Sequence, residues 1–288
     1  GRRQRRQYSA VPERVLSSLN LPAEARHRFV EYDDETSTVI FRAADGHEAR
    51  AHVADDGLIV AEQIAEGSRA TVHRGLLTVG EGNSLSISAA FVGKGEGASC
   101  PVAIKFMKGS GDESGAATGS DDALVSLIRE LDVHSRIRHP NVLLFCGAVI
   151  HTNPHPDSPQ IAIVSELLAM TLSTAVYASS VVIGLTKCIE LATQIALGLG
   201  HLHHVGVVHG HFKTASVLLS HPPGERDKGP QAVAKIAGFQ GAMLGASASA
   251  NRRGEAVVDH AYRSPEDLSA SPPPAAQTQE ERHKLRAA

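Results

Sequence analysis

The chain has 288 residues, a formal net charge of −3 and 42% hydrophobic residues. This composition is typical of a globular protein with a sizeable core, and the length fits one large domain or two small ones. The charge argues neither for nor against a polyanionic partner, and no apolar run reaches the roughly 18 residues of a membrane span. We therefore expect no membrane span, and we assign no nucleic-acid partner to the chain.

The cysteines and the basic N-terminus bear on localisation. Cys100, Cys146 and Cys188 lie far apart with no C-x-x-C spacing, a pattern typical of reduced thiols in the cytoplasm. The first residues, G-R-R-Q-R-R-Q, lack the apolar stretch of a signal peptide. We interpret them as a solvated tail in a cytoplasmic protein, with a nuclear address as the alternative.

Residues 1–57 are predicted to form an N-terminal extension. Apolar spacing over residues 11–21 predicts a short helix that ends at Pro22. Thr38–Arg42 is rich in β-formers, and the turn signal A-D-G and a second polar strand follow it. The extension is therefore expected to contain a β-hairpin.

The pattern changes at residue 58. Two β-type runs, 58–64 and 70–77, flank the sequence A-E-G-S-R-A, and residues 101–107 form a third run that contains V-A-I-K. A glycine- and serine-rich segment over 109–122 predicts a loop, and apolar spacing over 123–138 predicts a helix. The motif H-P-N follows this helix.

The second half of the chain alternates short apolar runs with one long helical pattern. Strands are predicted at 142–145 and 161–168, and a helix at Leu185–His204. The helix leads into V-V-H-G-H-F-K-T-A-S-V-L-L over residues 207–219, which predicts a loop and a short strand. K-I-A-G-F-Q, a mobile segment at 241–257 and S-P-E come later.

In order and spacing, these motifs resemble those of protein kinases, in particular the tyrosine-kinase-like group with the Raf and mixed-lineage kinases. In that family the glycine-rich loop is G-x-G-x-x-G, the catalytic loop is H-R-D-L-K-x-x-N, and D-F-G and A-P-E follow. The resemblance covers residues 58–268. It implies an α+β, two-lobed protein-kinase-like fold. The N-lobe at 58–168 would hold a five-stranded antiparallel sheet and one helix, and the C-lobe at 169–288 would be mainly helical and incomplete.

The resemblance also assigns roles to individual residues. Lys105 matches the lysine that holds the α- and β-phosphates of ATP, and Glu130 matches its partner on the helix. Ser165 and Leu167 match the gatekeeper and the hinge. The cofactor-binding positions are Gly67, Val72, Ala103, Lys105, Glu130, Ser165, Leu167, Ser216 and Leu218, and the catalytic-loop positions are His211 and Lys213.

Four catalytic-loop and metal-binding positions depart from the family pattern. Gly238 stands at the D-F-G aspartate and Ser216 at the catalytic-loop asparagine, so both metal ligands are replaced. His211 stands at the catalytic aspartate and Gly210 at the neighbouring arginine. A neutral imidazole can accept a proton, so histidine at position 211 should impair phosphate transfer less than the loss of the metal ligands does. We therefore expect weak or absent ATP binding and no Mg²⁺ site.

The sequence thus predicts a pseudokinase that acts as a regulatory or scaffolding module, with an active kinase or another signalling protein as its partner. The first alternative is an active serine/threonine kinase with atypical catalytic residues. The second is a metal-binding module, because imidazole is a common zinc ligand and five histidines lie close together in the sequence. They are His201, His203, His204, His209 and His211.

Overall fold

A computed structural model describes residues 29–33, 38–42, 48–54, 58–67, 70–78, 99–107, 119–151, 161–178, 182–223 and 231–244, with 262 and 265. The helix predicted at 11–21, residues 245–257 of the predicted mobile segment, and Ser264 and Glu266 of S-P-E lie outside these residues.

An eight-stranded sheet forms the N-terminal part of the fold. Its strands are β1 Phe29–Asp33, β2 Thr38–Arg42, β3 Glu48–Ala54, β4 Leu58–Glu66, β5 Ala70–Thr78, β6 Ser99–Met107, β7 Phe145–His151 and β8 Ile161–Glu166. Their order across the sheet is β1-β2-β3-β7-β8-β6-β5-β4. The strands predicted at 58–64, 70–77, 101–107 and 161–168 are therefore confirmed, with small differences at their ends.

The prediction of a five-stranded antiparallel sheet is wrong, because β1, β2 and β3 continue the sheet beyond β7. Strand β3 pairs with β7 in parallel, with His52 opposite Val149. Val39, Ile40 and Phe41 are all buried, and successive residues of a strand face opposite sides of a sheet. Both faces of β2 are thus covered. The hairpin predicted in the extension is present, and the sheet runs across the predicted boundary at residue 58.

One helix packs on this sheet. Helix α1, Gly119–Arg136, lies where a helix was predicted at 123–138, although it begins and ends earlier. Its side chains Leu127, Ile128 and Leu131 are buried, at the three- and four-residue spacing that places them on one helix face. The helix contacts β3 and β7, so the extension packs against the element that carries Glu130.

The C-terminal part holds one long helix and two small sheets among the described residues. Helix α2, Leu185–His204, has the predicted bounds. The remaining elements are strands β9 Met170–Thr171, β10 Val207–Val208, β11 Val217–Leu219, β12 Ala234–Ile236 and β13 Met243–Leu244, 3-10 turns at Thr214–Ser216 and Phe239–Gly241, and a π-helical turn at Thr174–Ala178. Strands β12, β11 and β9 form one sheet, and β10 and β13 the other.

The H-P-N turn joins the two parts. The Asn141 side chain donates a hydrogen bond of 3.0 Å to the carbonyl of Ala234. Gly198 lies close by on α2, where a Cβ would come within 2.7 Å of the Asn141 carbonyl oxygen. The strand predicted at 142–145 is wrong, because Leu143 N–H bonds to the carbonyl of Ile236 instead of a sheet neighbour. Strand β7 begins only at Phe145.

Candidate functional site between the two lobes

Strand register brings four predicted site residues to one face of the sheet. Ala103 and Lys105 lie two positions apart on β6, so their side chains project to the same side. Val72 lies opposite Lys105, and Ser165 lies opposite Ala103. Paired residues of an antiparallel ladder share a face. The opposite face of β6 is the buried core of the N-lobe, so the register separates core from site.

Lys105 and Glu130 form an ion pair at the centre of this face. The Nζ of Lys105 lies 2.8 Å from Oε1 and 2.7 Å from Oε2 of Glu130. The Glu130 side chain is only 4% exposed, and that of Lys105 is 19% exposed. A carboxylate so deeply buried needs a cation beside it, since an unpaired buried charge is costly. The pair predicted from V-A-I-K and α1 is therefore formed.

Gln240 joins this pair, and sequence reasoning missed it. Its side-chain oxygen accepts a hydrogen bond of 3.1 Å from Lys105 Nζ. Gln240 stands where the D-F-G motif has its glycine. A long amide side chain in place of glycine could have indicated that this position contacts the site. Comparison with D-F-G predicted a role for Gly238 and none for Gln240.

The loop after α2 is held by a buried histidine. His209 Nδ1 accepts the backbone N–H of His211, at 3.3 Å, so Nε2 carries the ring proton and donates to the carbonyl of Ala237, at 3.0 Å. Burial lowers the pKa of His209, so the ring is neutral at physiological pH. Both ring nitrogens bond to backbone, which makes this side chain structural.

Ser216 and His211 also bond to each other within the loop. The Ser216 hydroxyl donates to the carbonyl of His211 at 3.0 Å, and the Ser216 backbone N–H donates to the carbonyl of Lys213 at 2.8 Å. Ser216 is buried, whereas His211 and Lys213 are half-buried. The one hydroxyl proton at this position is thus directed to the loop itself. Leu218 follows on β11 and is half-buried.

The segment after β12 stands at the position of the D-F-G motif. Gly238 has a left-handed conformation with φ of 81°, and the Phe239 side chain after it is buried. The Phe239 ring lies 4.9 Å from the ring of His134 and 5.4 Å from that of His209, between centroids. The aromatic anchor of the motif is therefore in place, while the position of its acidic group carries only hydrogen.

Gly210 explains why the arginine of the catalytic loop is missing. Its φ is 71°, and a Cβ there would overlap the carbonyl oxygen of Gly241. The turn at Phe239–Gly241 thus lies directly against the position of the missing side chain. No residue larger than glycine fits Gly210 unless this turn moves.

The two remaining predicted positions lie at the edges of the site. Gly67 follows β4, is exposed, and donates its N–H to the carbonyl of Ala70 at 2.8 Å. Leu167 follows β8 and is half-buried. Ala169, two residues on, donates its N–H to the carbonyl of Leu219 at 2.9 Å. The predicted hinge therefore runs from the large sheet directly onto the C-lobe sheet.

A second ion pair at this hinge was also missed. Lys235 Nζ lies 2.7 Å from Oε1 of Glu166, and the same carboxylate accepts the backbone N–H of Leu144 at 2.7 Å. Glu166, the last residue of β8, therefore connects this strand to β12. No local pattern indicates a partner so distant in sequence, which is why the pair was not predicted.

Comparison with known proteins identifies the family. A model described as the protein kinase domain matches residues 75–279. The chain belongs to the protein kinase family. Human kinase suppressor of Ras 2 resembles this kinase domain with 31% identity over 100 residues, which cover 34% of this chain and 10% of that protein.

Two further relatives carry kinase names. Serine/threonine-protein kinase mos of Xenopus laevis is 35% identical over 124 residues, which cover 43% of this chain and 32% of that protein. Rat dual specificity testis-specific protein kinase 2 is 27% identical over 94 residues, covering 33% and 15% of the two chains. The matched parts thus span about a third or less of these relatives. Family membership and the two-lobed fold, both predicted from the sequence, are confirmed.

The described residues contain neither a membrane-spanning helix nor a metal-binding cluster. No described helix is long and apolar enough to cross a membrane. Within the same residues, no three histidine, cysteine or acidic side chains converge on a metal-sized site. The rings of His139 and His201 stack on each other, 4.8 Å apart between centroids.

Proposed function

We propose that this kinase domain is a pseudokinase that regulates or scaffolds a signalling protein and transfers phosphate poorly or not at all. The observation that carries the proposal is Gly238, which offers no carboxylate at the metal-binding position of the motif. Phosphoryl transfer depends on positioning and on metal ions that neutralise the phosphates. Without a ligand at Gly238, the protein supplies little of this neutralisation.

Ser216 strengthens the proposal. Its hydroxyl proton is directed to the carbonyl of His211, and a short hydroxyl reaches less far than the amide oxygen of asparagine. Mg²⁺ demands near-ideal octahedral geometry and is held through carboxylates together with substrate phosphates. The residues present therefore do not fit a Mg²⁺ site, and we propose that ATP binds weakly and without the metal.

The partner we propose is a signalling protein. Kinase suppressor of Ras 2 carries a signalling protein in its name, and it matches this chain over 100 residues. A kinase-shaped surface would shift the state of such a partner through contacts that differ between the two states. This role requires the fold and no phosphate transfer.

A thermal-shift titration with ATP tests the nucleotide part of the proposal. We expect a small rise in melting temperature that does not depend on Mg²⁺. The matched variant is Gly238→Asp with Ser216→Asn. A Cβ at Gly238 has room beside the native Ser216, whose Oγ is the nearest atom at 3.9 Å, and aspartate tolerates left-handed backbone better than most residues. A large Mg²⁺-dependent stabilisation should appear in this variant alone, and the same stabilisation in the native chain would contradict the proposal.

An active serine/threonine kinase is the second candidate, favoured by the intact Lys105–Glu130 pair. A transfer assay with radiolabelled ATP and a general kinase substrate separates the two candidates. Lys105→Arg is the matched variant, since arginine can still pair with Glu130 while its charge is displaced. Robust transfer by the native chain that disappears in Lys105→Arg would establish the active kinase.

A further inference from the structure

The lysine that would meet the phosphates already has a full set of partners. An ammonium group has three N–H donors and no acceptor. Lys105 Nζ lies 2.8 and 2.7 Å from the two oxygens of Glu130 and 3.1 Å from the side-chain oxygen of Gln240. Three acceptors of the protein therefore face three protons. A phosphate oxygen that binds Lys105 has to displace one of them.

Of these acceptors, Gln240 is the easier one to displace. Glu130 is a charged carboxylate with a side chain only 4% exposed, and its loss would leave a buried charge. Gln240 is neutral and half-buried. The contact with Glu130 adds the attraction between opposite charges to its hydrogen bonds, whereas the Gln240 bond is charged on the Lys105 side only. A phosphate therefore competes with Gln240.

The backbone on both sides of Gln240 is fixed. Phe239 is buried between the rings of His134 and His209. Gly241 lies against the loop after α2, and a Cβ at Gly241 would come within 3.2 Å of the Cβ of His211. Gln240 therefore releases Lys105 by rotation of its side chain and not by movement of its backbone.

We propose that Gln240 acts as an internal competitor for phosphate at Lys105. Gln240 then lowers the affinity for a nucleoside triphosphate and leaves that for the corresponding uncharged nucleoside unchanged, because only the triphosphate has to break the bond between Lys105 and Gln240. This inference rests on the proposed function in taking the face around Lys105 as the ligand site. It adds a residue outside the metal positions that lowers affinity for ATP.

Calorimetric titration of the whole chain with ATP and with adenosine, both in EDTA, tests the inference. Gln240→Met keeps the length of the side chain and removes the oxygen acceptor, and Gln240→Ala removes both. We expect each variant to bind ATP about tenfold more tightly than the native chain, the effect of one hydrogen bond to a charged group. The affinity for adenosine should stay unchanged. Gln63→Met, at an exposed glutamine of β4, is the matched control and should change neither affinity.

The outcomes separate the possible explanations. Equal ATP affinity in the native chain and both Gln240 variants, including no measurable binding in any, would overturn the inference. A gain in Gln240→Ala alone would overturn it too, since the bulk of the side chain and not its hydrogen bond would then keep ATP away. Failure of the proposed function looks different, because it appears as phosphate transfer by the native chain in the radiolabel assay.

Discussion

The fit of Gly210 against Gly241 can be measured by a pair of alanine substitutions. Gly210 and Gly206 both have left-handed backbone, with φ of 71° and 77°. A Cβ at Gly206 meets nothing within 4 Å, whereas a Cβ at Gly210 would overlap the Gly241 carbonyl oxygen. Alanine therefore has the same backbone cost at both sites, and only at Gly210 does its Cβ also overlap another atom.

The expected magnitudes follow from these two terms. Left-handed backbone costs a residue with a Cβ about 1–2 kcal/mol relative to glycine. Gly206→Ala should lower the free energy of unfolding by roughly that amount. Gly210→Ala adds displacement of a packed turn, for which overpacking typically costs about 1–3 kcal/mol. We expect the total loss at Gly210 to be about 2–5 kcal/mol.

Urea unfolding followed by circular dichroism gives both values under one set of conditions. If the two substitutions reduce the free energy of unfolding equally, the turn at Phe239–Gly241 does not lie against Gly210, and the structural reason for the missing arginine is wrong. If the difference is found, Gly210→Arg should destabilise the fold without restoring transfer.

Three further predictions concern the packing of the N-lobe and its charges, and the same unfolding assay tests them. Phe41→Ala should cost about 3 kcal/mol or more because a buried aromatic ring is lost, whereas Leu76→Ala at an exposed leucine should cost little; equal effects would argue against the packed extension. Lys105→Met should cost about 3 kcal/mol, and adding Glu130→Leu should recover part of it, since no buried carboxylate is then left unpaired; strict additivity would contradict a coupled pair. Burial lowers the pKa of His134 from 6.5 to about 4, so the unfolded chain binds this proton first as the pH falls, and about 3 kcal/mol of stability should be lost between pH 6.5 and 4; His134→Leu should flatten that part of the profile, and an unchanged profile would refute the assignment.

Local patterns predicted the elements whose information lies within a short stretch. The apolar spacing of Leu185–His204 gave a helix with the observed bounds. V-A-I-K and the apolar spacing of α1, read in the order of the family motifs, predicted that Lys105 and Glu130 pair. The two side chains do form an ion pair. A period of 2 or of 3.6 residues is readable from a dozen positions, because burial on one face follows from it directly.

Features that depend on distant partners were not predictable in this way. Strand β3 has the sequence E-A-R-A-H-V-A, and its place in the sheet depends on pairing with β7, far along the chain. Gln240 and Lys235 likewise bond to residues of the other lobe. The periodicity of apolar residues carries no information on such contacts, since they form only when the two lobes meet.

The parallel pairing of β3 with β7 bears on how pieces of this protein can be produced. The family resemblance begins near residue 58, so a fragment starting there would be an obvious choice for expression. Such a fragment would expose the backbone of β7 beside Val149 and Ile150, where β3 now pairs. Unpaired strand edges recruit strands from other chains. We expect this fragment to self-associate, whereas a fragment that keeps β1, β2 and β3 retains the covered edge.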